Sequence, residues 1–256
     1  MNTLPDEVLQ VTTDALINMR SSPTHHLAPF YRYQLYRTLG RVVGSASSSR
    51  EGSDDGVSTV QAWLAILTAE RVLPLFEGAI FALDDMDEDF LHLPRQLIDM
   101  ARGLMMGQLD LESARWEAGE AHELFGNWLS ESDYDPDAVP LNAVLAGNAA
   151  QRALSEAAGW DYFLLMSAEN EQRWSQPPDL STYPQKQALD LESQEPLTDE
   201  QLVYEGSDTA GKAAVAYACS TTSVRCEPER LEEFWTWWLT EALPEAWGLA
   251  ASNTRK

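Results

Sequence analysis

The sequence has few cysteines and no long apolar run, and each shortage excludes a class of protein. Its two cysteines, Cys219 and Cys226, are too few for a disulfide framework, and the simplest expectation is that both are free thiols. No uninterrupted apolar stretch approaches membrane-spanning length. The first residues also lack the basic and then apolar pattern of a secretory signal. We therefore expect a soluble cytoplasmic protein with no membrane partner.

Basic residues are the most marked shortage, because 17 Lys and Arg stand against 41 Asp and Glu, for a formal net charge of −24. The imbalance begins after residue 50, since the first 50 residues hold five arginines and three acids. A surface of this sign repels nucleic acid and anionic membrane and attracts basic proteins. The negative charge indicates a basic protein partner. Alternatively, it serves only to keep the protein soluble or adapts it to a salty environment.

Motifs that would indicate catalysis or a bound metal are also lacking. The run from Asp84 to Asp89 resembles the start of a calcium loop, but Phe90 and Gln96 stand where Gly and Glu are required. His122-Glu123 begins like a zinc-protease motif, but Gly126 replaces its second histidine. No glycine-rich phosphate motif and no nucleophile elbow is present. We therefore expect no metal, no cofactor and no catalytic residue, and a protein that is not an enzyme.

Apolar residues recur at helical spacing through most of the chain, and no segment alternates strictly between apolar and polar residues. Caps and prolines divide this pattern into about nine helices. They are expected over residues 6–19, 29–43, from the capping box of Ser58 and Gln61 past Leu75, over 94–107, 111–129, 136 or 140 to 159, 160–174, from a cap at Ser207 or Asp208 through Cys219, and over 228–247. We predict an all-α, single-domain multi-helix bundle over residues 1–256, with flexible loops at about 44–57 and 175–200.

Some of these helices carry charged residues that need an explanation. They are Arg32, Arg37 and Arg41 in the second helix, and the neighbouring pairs Glu70-Arg71 and Glu229-Arg230. For the three arginines a solvated helix face is expected. Arg71 lies near Pro74, where it could satisfy carbonyls that the proline leaves free or pair with a carboxylate, so we expect a structural pair there. For Glu229-Arg230 we expect an exposed pair that adds a few tenths of a kcal/mol.

The last helix is the segment around which the fold is expected to form, since it contains three of the nine tryptophans within four consecutive residues, 235–238. At 100° per residue, Phe234, Trp235 and Trp238 fall on one apolar stripe, whereas Trp237 points away from it. Such a stripe is typical of a core helix, so the rest of the chain is expected to cover it. We expect Trp237 either to lie beneath a loop or to contact a partner.

Four segments carry a resemblance to a known family. They are residues 65–77 (AILTAERVLPLFE), 148–159 (NAAQRALSEAAG), 213–218 (AAVAYA) and, most specific, 230–247 (RLEEFWTWWLTEALPEAW). Together they resemble the bacterial immunity-protein family usually numbered five among the immunity proteins of polymorphic toxin systems. The family is described as mostly α-helical, with an acidic-residue–Arg motif that Glu70-Arg71 or Glu229-Arg230 could match. The resemblance implies structural roles for Phe234, Trp235 and Trp238.

Such a family implies a protein encoded beside a toxin, which binds and neutralises that toxin in the producing cell. Toxins linked to the family are often nucleases, whose basic surface a carboxylate-rich inhibitor can occupy. An acidic scaffold or nucleic-acid mimic that binds another basic protein is the alternative, and an uncharacterised enzyme is a further one. The candidate contact residues are Asp84, Asp85, Asp87, Glu88 and Asp89, with Trp237 as an aromatic anchor.

Overall fold

The structure, a computed structural model, describes residues 3–22, 25–46, 59–80, 88–130, 140–159, 208–218 and 226–253. Its helices are α1 (Asp6–Ser21), α2 (Pro29–Ala46), α3 (Thr59–Ile80), α4 (Glu88–Met105), α5 (Leu111–Ser130), α6 (Leu141–Ala157), α7 (Thr209–Ala218), α8 (Pro228–Trp237) and α9 (Leu243–Asn253). A π-helical turn, Trp238–Ala242, joins α8 to α9, and we call these three segments the C-terminal helix. The described residues form no strand, so the all-α prediction is confirmed.

Helix α3 lies at the centre of the fold, against α2, α4, α6, α7 and the C-terminal helix. Every residue from Val60 to Ala69 is buried. A helix segment with no exposed side must pack against other helices on every side, and the neighbours of α3 provide this packing. Helix α6 packs most extensively against it, because its many alanines let the two backbones approach closely. One hydrophobic cluster contains residues from every helix.

Several predicted helix boundaries are confirmed, but α2 and the C-terminal helix end later than predicted, at Ala46 and Asn253, and α4 begins earlier. Asp110 and Asp208 cap α5 and α7, since each accepts a hydrogen bond from the backbone N–H three residues later, at 2.9 and 3.1 Å. Gly159 follows α6 with a φ of +72°, as a left-handed cap requires. Helix α4, however, begins at Glu88 and not at Pro94. Acidic residues in a first turn favour that start, because they face the positive end of the helix dipole.

The C-terminal helix contains a π-helical turn where the sequence predicted regular α-helix. The N–H of Leu243 bonds to the carbonyl of Trp238, five residues earlier. Pro244 explains the change, because it has no N–H and its ring would clash with the Thr240 carbonyl in α geometry. Widening the turn removes that clash and keeps the helix continuous.

Cys226 is disulfide-bonded, so the expectation of two free thiols is wrong. The only other cysteine in the sequence is Cys219, which lies outside the described residues. Disulfides persist mainly in oxidising compartments, so this bond is at odds with the expected cytoplasmic location. Among the described helices, none has the length and apolar character needed to cross a membrane.

Three other sequence predictions fall wholly or largely where the structure gives no description. Of the loop predicted at 44–57, residues 44–46 belong to α2, which extends farther than the apolar pattern indicated, and 47–57 lie outside the described residues. The helix predicted at 160–174 and the loop predicted at 175–200 also lie outside them. These two predictions, and that of a single domain over the whole chain, stay predictions.

Candidate functional site

A shallow groove of about 510 Å³ opens along the outer face of the C-terminal helix. Four carboxylates, two guanidinium groups and one indole line it, and we call it the Trp237 groove. Its lining residues are Arg20, Arg71, Glu229, Glu232, Glu233, Thr236, Trp237 and Glu241. Three of the residues that the sequence singled out, Trp237, Arg71 and Glu229, therefore lie together.

Trp237 is half-buried and packs against the core on one side only. Its ring centroid lies 5.7 Å from that of Phe234. On the other side the guanidinium of Arg71 lies 5.1 Å from the indole centroid and 5.5 Å from the ring of Tyr217, as in cation–π pairs. In the described part of the chain it is thus a side chain from α3, and not a loop, that covers part of Trp237.

Ion pairs in the groove join the C-terminal helix to its neighbours. Glu232 lies 3.4 Å from Arg20 Nε and 3.0 Å from His25 Nδ1. Glu233 lies 3.6 Å from Arg71 and accepts a hydrogen bond from Tyr217. Partial burial and then the Glu233 carboxylate raise the pKa of Tyr217, so its phenol stays protonated and donates.

Two of the groove carboxylates differ from the rest. Glu229 and Glu241 are both exposed, and neither has an ion-pair partner within the described residues. An unpaired carboxylate at the surface keeps its full attraction for an incoming cation, whereas a paired one must first exchange its partner. A basic group that enters the groove would therefore be attracted most strongly at these two positions.

The neighbouring acidic–Arg pairs do not pair with each other. Glu70 instead accepts two hydrogen bonds of 2.6 Å from Arg102 of α4, while Arg71 enters the groove. Arg230 lies 4.9 Å from the Tyr217 ring centroid and not on Glu229. Arg71 therefore does pair with a carboxylate, as one of the two alternatives predicted, but with that of Glu233. Neighbouring residues on a helix point in different directions, and no ion pair between Glu229 and Arg230 is found among the described residues. Glu70 and Arg71 still have structural roles, since each links α3 to another helix.

Phe234, Trp235 and Trp238 are completely buried, as the stripe predicted. The rings of Trp235 and Trp238 meet edge to face with centroids 5.6 Å apart. The indole N–H of Trp238 donates to the Thr68 hydroxyl at 2.9 Å, which satisfies a polar group that burial would otherwise penalise. The three residues thus hold the C-terminal helix against α3 and place Trp237 outside.

The predicted acidic contact surface has no described geometry. Asp84, Asp85 and Asp87 lie outside the described residues. Glu88 and Asp89 are the first two residues of α4, and the structure describes their backbone but not their side chains. Their proposed role in binding stays a prediction.

A buried ion pair lies beneath the tryptophan stripe, and the sequence did not predict it. Arg32 is 0% exposed, and its Nη2 lies 3.2 Å from Asp208 Oδ1. Its Nη1 donates to the Leu27 carbonyl at 3.3 Å, and its guanidinium lies 5.3 Å from the Trp235 ring centroid. The expectation that Arg32 lies on a solvated face is wrong, because these groups take the place of water around the charge.

Two hydroxyl groups and a second carboxylate extend this pair into a network. Tyr36 donates to Asp208 Oδ2 at 3.1 Å, and burial and then the Asp208 carboxylate raise its pKa well above the usual value. Glu156 of α6 accepts two bonds of 2.7 Å from the backbone and hydroxyl of Thr209. The network therefore ties α2 and α6 to the start of α7.

The signal for Arg32 was present in the sequence. On a helical projection, Arg32 falls between Leu35, Tyr36 and Leu39, in the middle of the apolar stripe of α2, whereas Arg37 falls on the opposite side. Leu35, Tyr36 and Leu39 are buried and Arg37 is exposed. A charged residue in the middle of an apolar stripe indicates a buried partner elsewhere in the chain.

His26 lies beside this network and stays uncharged. It is buried edge-on against Trp235 at 5.6 Å between ring centroids, and its Nε2 has no hydrogen-bond partner among the described residues. Burial, and then the nearby Arg32 charge, lower its pKa from 6.5 to about 3. Between pH 6.5 and about 3 the unfolded chain therefore binds a proton at His26 that the folded protein does not bind.

We expect the free energy of unfolding to decrease as the pH is lowered through that window. His26→Phe should remove the part of this decrease that comes from His26. Linkage gives a contribution from His26 of about 2 kcal/mol between pH 7.5 and pH 5. Urea unfolding at both pH values should thus show a loss smaller by about that amount in His26→Phe than in the wild type. Equal losses in the wild type and His26→Phe would contradict a neutral, buried His26.

No group of three or more potential ligand side chains that could hold a metal ion is found among the described residues. Neither a protein-family model nor a curated protein matches the sequence.

Proposed function

We propose that the chain is an immunity protein, which binds a basic toxin domain and blocks it in the cell that produces the toxin. The observation that supports this most directly is the Trp237 groove, where a half-buried indole lies among four carboxylates. The net charge of −24 supports it independently, because such a field attracts a basic partner from a distance. A nuclease is the class of toxin that best fits, since its substrate-binding surface must be basic.

Binding would exchange ion pairs within the chain for ion pairs with the partner. Arg71 and Arg20 are held by exposed pairs, which contribute little to stability and are readily replaced. A lysine or arginine of the partner would meet Glu229 and Glu241 and the face of Trp237. Large aromatic side chains in a partly desolvated position commonly carry much of the binding energy of an interface. The surface with which the partner binds phosphates would then be blocked.

The test is co-expression with the toxin encoded by the adjacent gene, followed by measurement of the affinity of the purified complex. We expect rescue of growth, and a dissociation constant that rises with salt. Trp237→Ala is expected to weaken binding about tenfold or more, and Glu229→Gln with Glu241→Gln should lower the association rate and its salt dependence. Glu245→Gln is the matched control, since Glu245 is exposed on the same helix but does not line the groove.

Two results would count against the proposal. If the adjacent gene product does not bind, the chain is not its immunity protein. If several unrelated basic proteins bind as tightly as that product does, the chain is a general acidic scaffold or nucleic-acid mimic. If the product binds but Trp237→Ala has no effect, the function stands and its assignment to the groove is wrong.

A further inference from the structure

Helix α5 presents a face that no described part of the chain covers. Its inner side packs on α4 and α6 through Ala114, Ala118 and Ala121, which are buried. Trp116 lies on the opposite side of the helix, and its side chain is 69% exposed. We call the outward side chains the α5 outer face. They are Glu112, Trp116, Glu120, Glu123 and Leu124, all exposed.

Apolar side chains are concentrated at this end of the molecule. Six large apolar residues are exposed among those described, and four of them lie between Met106 and Leu124. Single exposed apolar residues are normal on a protein surface, but a concentration around a tryptophan is typical of an interaction surface. Trp116 is the most exposed of the six. Its ring makes it the natural anchor of a contact.

The charge on the α5 outer face points to the kind of partner. On a helical projection Glu112, Glu120 and Glu123 all lie within 40° of Trp116. None of the three has an ion-pair partner in the described ranges, and Glu120 and Glu123, three residues apart, repel each other. A basic partner would relieve that repulsion. In the Trp237 groove, Glu232 and Glu233 already have partners within the chain, and only Glu229 and Glu241 lack one among the described residues.

We infer that the α5 outer face is a second docking surface, for a protein segment that carries lysines or arginines around an apolar contact for Trp116. This rests on the proposed function only in taking the partner to be a basic protein. A second copy of the chain fits poorly, because it would bring a net charge of −24 against the same three glutamates. A nucleic acid is repelled for the same reason.

The probe for this surface is a fluorescein-labelled synthetic amphipathic helix made only of leucine and lysine, with a leucine–glutamate peptide as its control. Binding to the full chain is followed by fluorescence anisotropy. We expect Trp116→Ala to weaken binding of the lysine peptide about tenfold or more. Glu120→Gln with Glu123→Gln should weaken it severalfold and reduce its salt dependence. The leucine–glutamate peptide should not bind.

Two matched variants separate this surface from others. Ile17→Ala removes a comparably exposed apolar side chain on α1 and should leave the affinity unchanged. Trp237→Ala, which alters the groove and not this face, should weaken binding of the lysine peptide less than Trp116→Ala does. Equal urea midpoints for wild type and Trp116→Ala would show that the variant is folded.

Several outcomes would overturn the inference without touching the proposed function. One is unchanged affinity in Trp116→Ala, and another is loss of peptide binding in Trp237→Ala instead, which assigns the peptide to the groove. A third is self-association of the wild type that Trp116→Ala abolishes, which assigns the face to a second copy. Absence of peptide binding to the wild type also overturns it, while rescue by co-expression with the adjacent toxin tests the proposed function separately.

Discussion

Replacing Arg32 by methionine is expected to lower the free energy of unfolding by about 3–5 kcal/mol. Methionine keeps much of the volume of the side chain but removes the charge that faces Asp208 at 3.2 Å. Asp208 is only 5% exposed, so water cannot replace the guanidinium without opening the structure. The Tyr36 hydroxyl and the Gly211 backbone N–H would still donate to Asp208, but two neutral donors do not neutralise a buried charge.

Two further variants test that explanation by urea unfolding. Arg37→Met changes an exposed arginine on the opposite side of α2 and should alter stability by no more than about 1 kcal/mol, the usual size of a surface contact of a charged side chain. Arg32→Met combined with Asp208→Asn should recover part of the loss, because no unpaired charge remains and the asparagine can still cap α7. If Arg32→Met were as mild as Arg37→Met, the Asp208 carboxylate would have to be hydrated in the folded protein.

The helices were predictable because their apolar residues recur with helical spacing over three turns or more, and their ends carry local signals. Asp110, Asp208 and Gly159 each act within a few residues of themselves, so the sequence alone reveals them. The burial of Phe234, Trp235 and Trp238 followed from the same spacing. Such features depend on local geometry and not on which helices later meet.

The partners of the charged residues were not predictable, because they come from distant parts of the chain. Glu70 pairs with Arg102 of α4, although Arg71 is its neighbour in sequence. Trp237 could be recognised as lying off the stripe, but the groove around it requires Arg71 from α3 and Arg20 from α1. The π-helical turn is an intermediate case, since Pro244 marks the place but not the way in which the helix adjusts.

Trp238→Ala is expected to destabilise the protein by about 3–5 kcal/mol, through the cavity that it leaves against α3. The side chain is 0% exposed, contacts Tyr36 and Trp235, and donates a hydrogen bond to Thr68. Trp238→Phe should cost less, about 2 kcal/mol, because an aromatic ring remains and the Thr68 hydroxyl keeps its bond to the Leu64 carbonyl. Urea unfolding of both variants measures the difference.

The adjacent substitution Trp237→Ala is the matched control and should cost only roughly 1 kcal/mol, since that ring is only partly buried and contacts the core through Phe234. One step along the helix turns a side chain by about 100°, so the two variants measure directly which of the tryptophans faces the core. The reverse order of stabilities would mean that the stripe is turned and that Trp237 is a core residue. With the expected order, Trp237→Ala remains folded, and any weaker binding of a toxin by that variant reflects the groove and not the loss of structure.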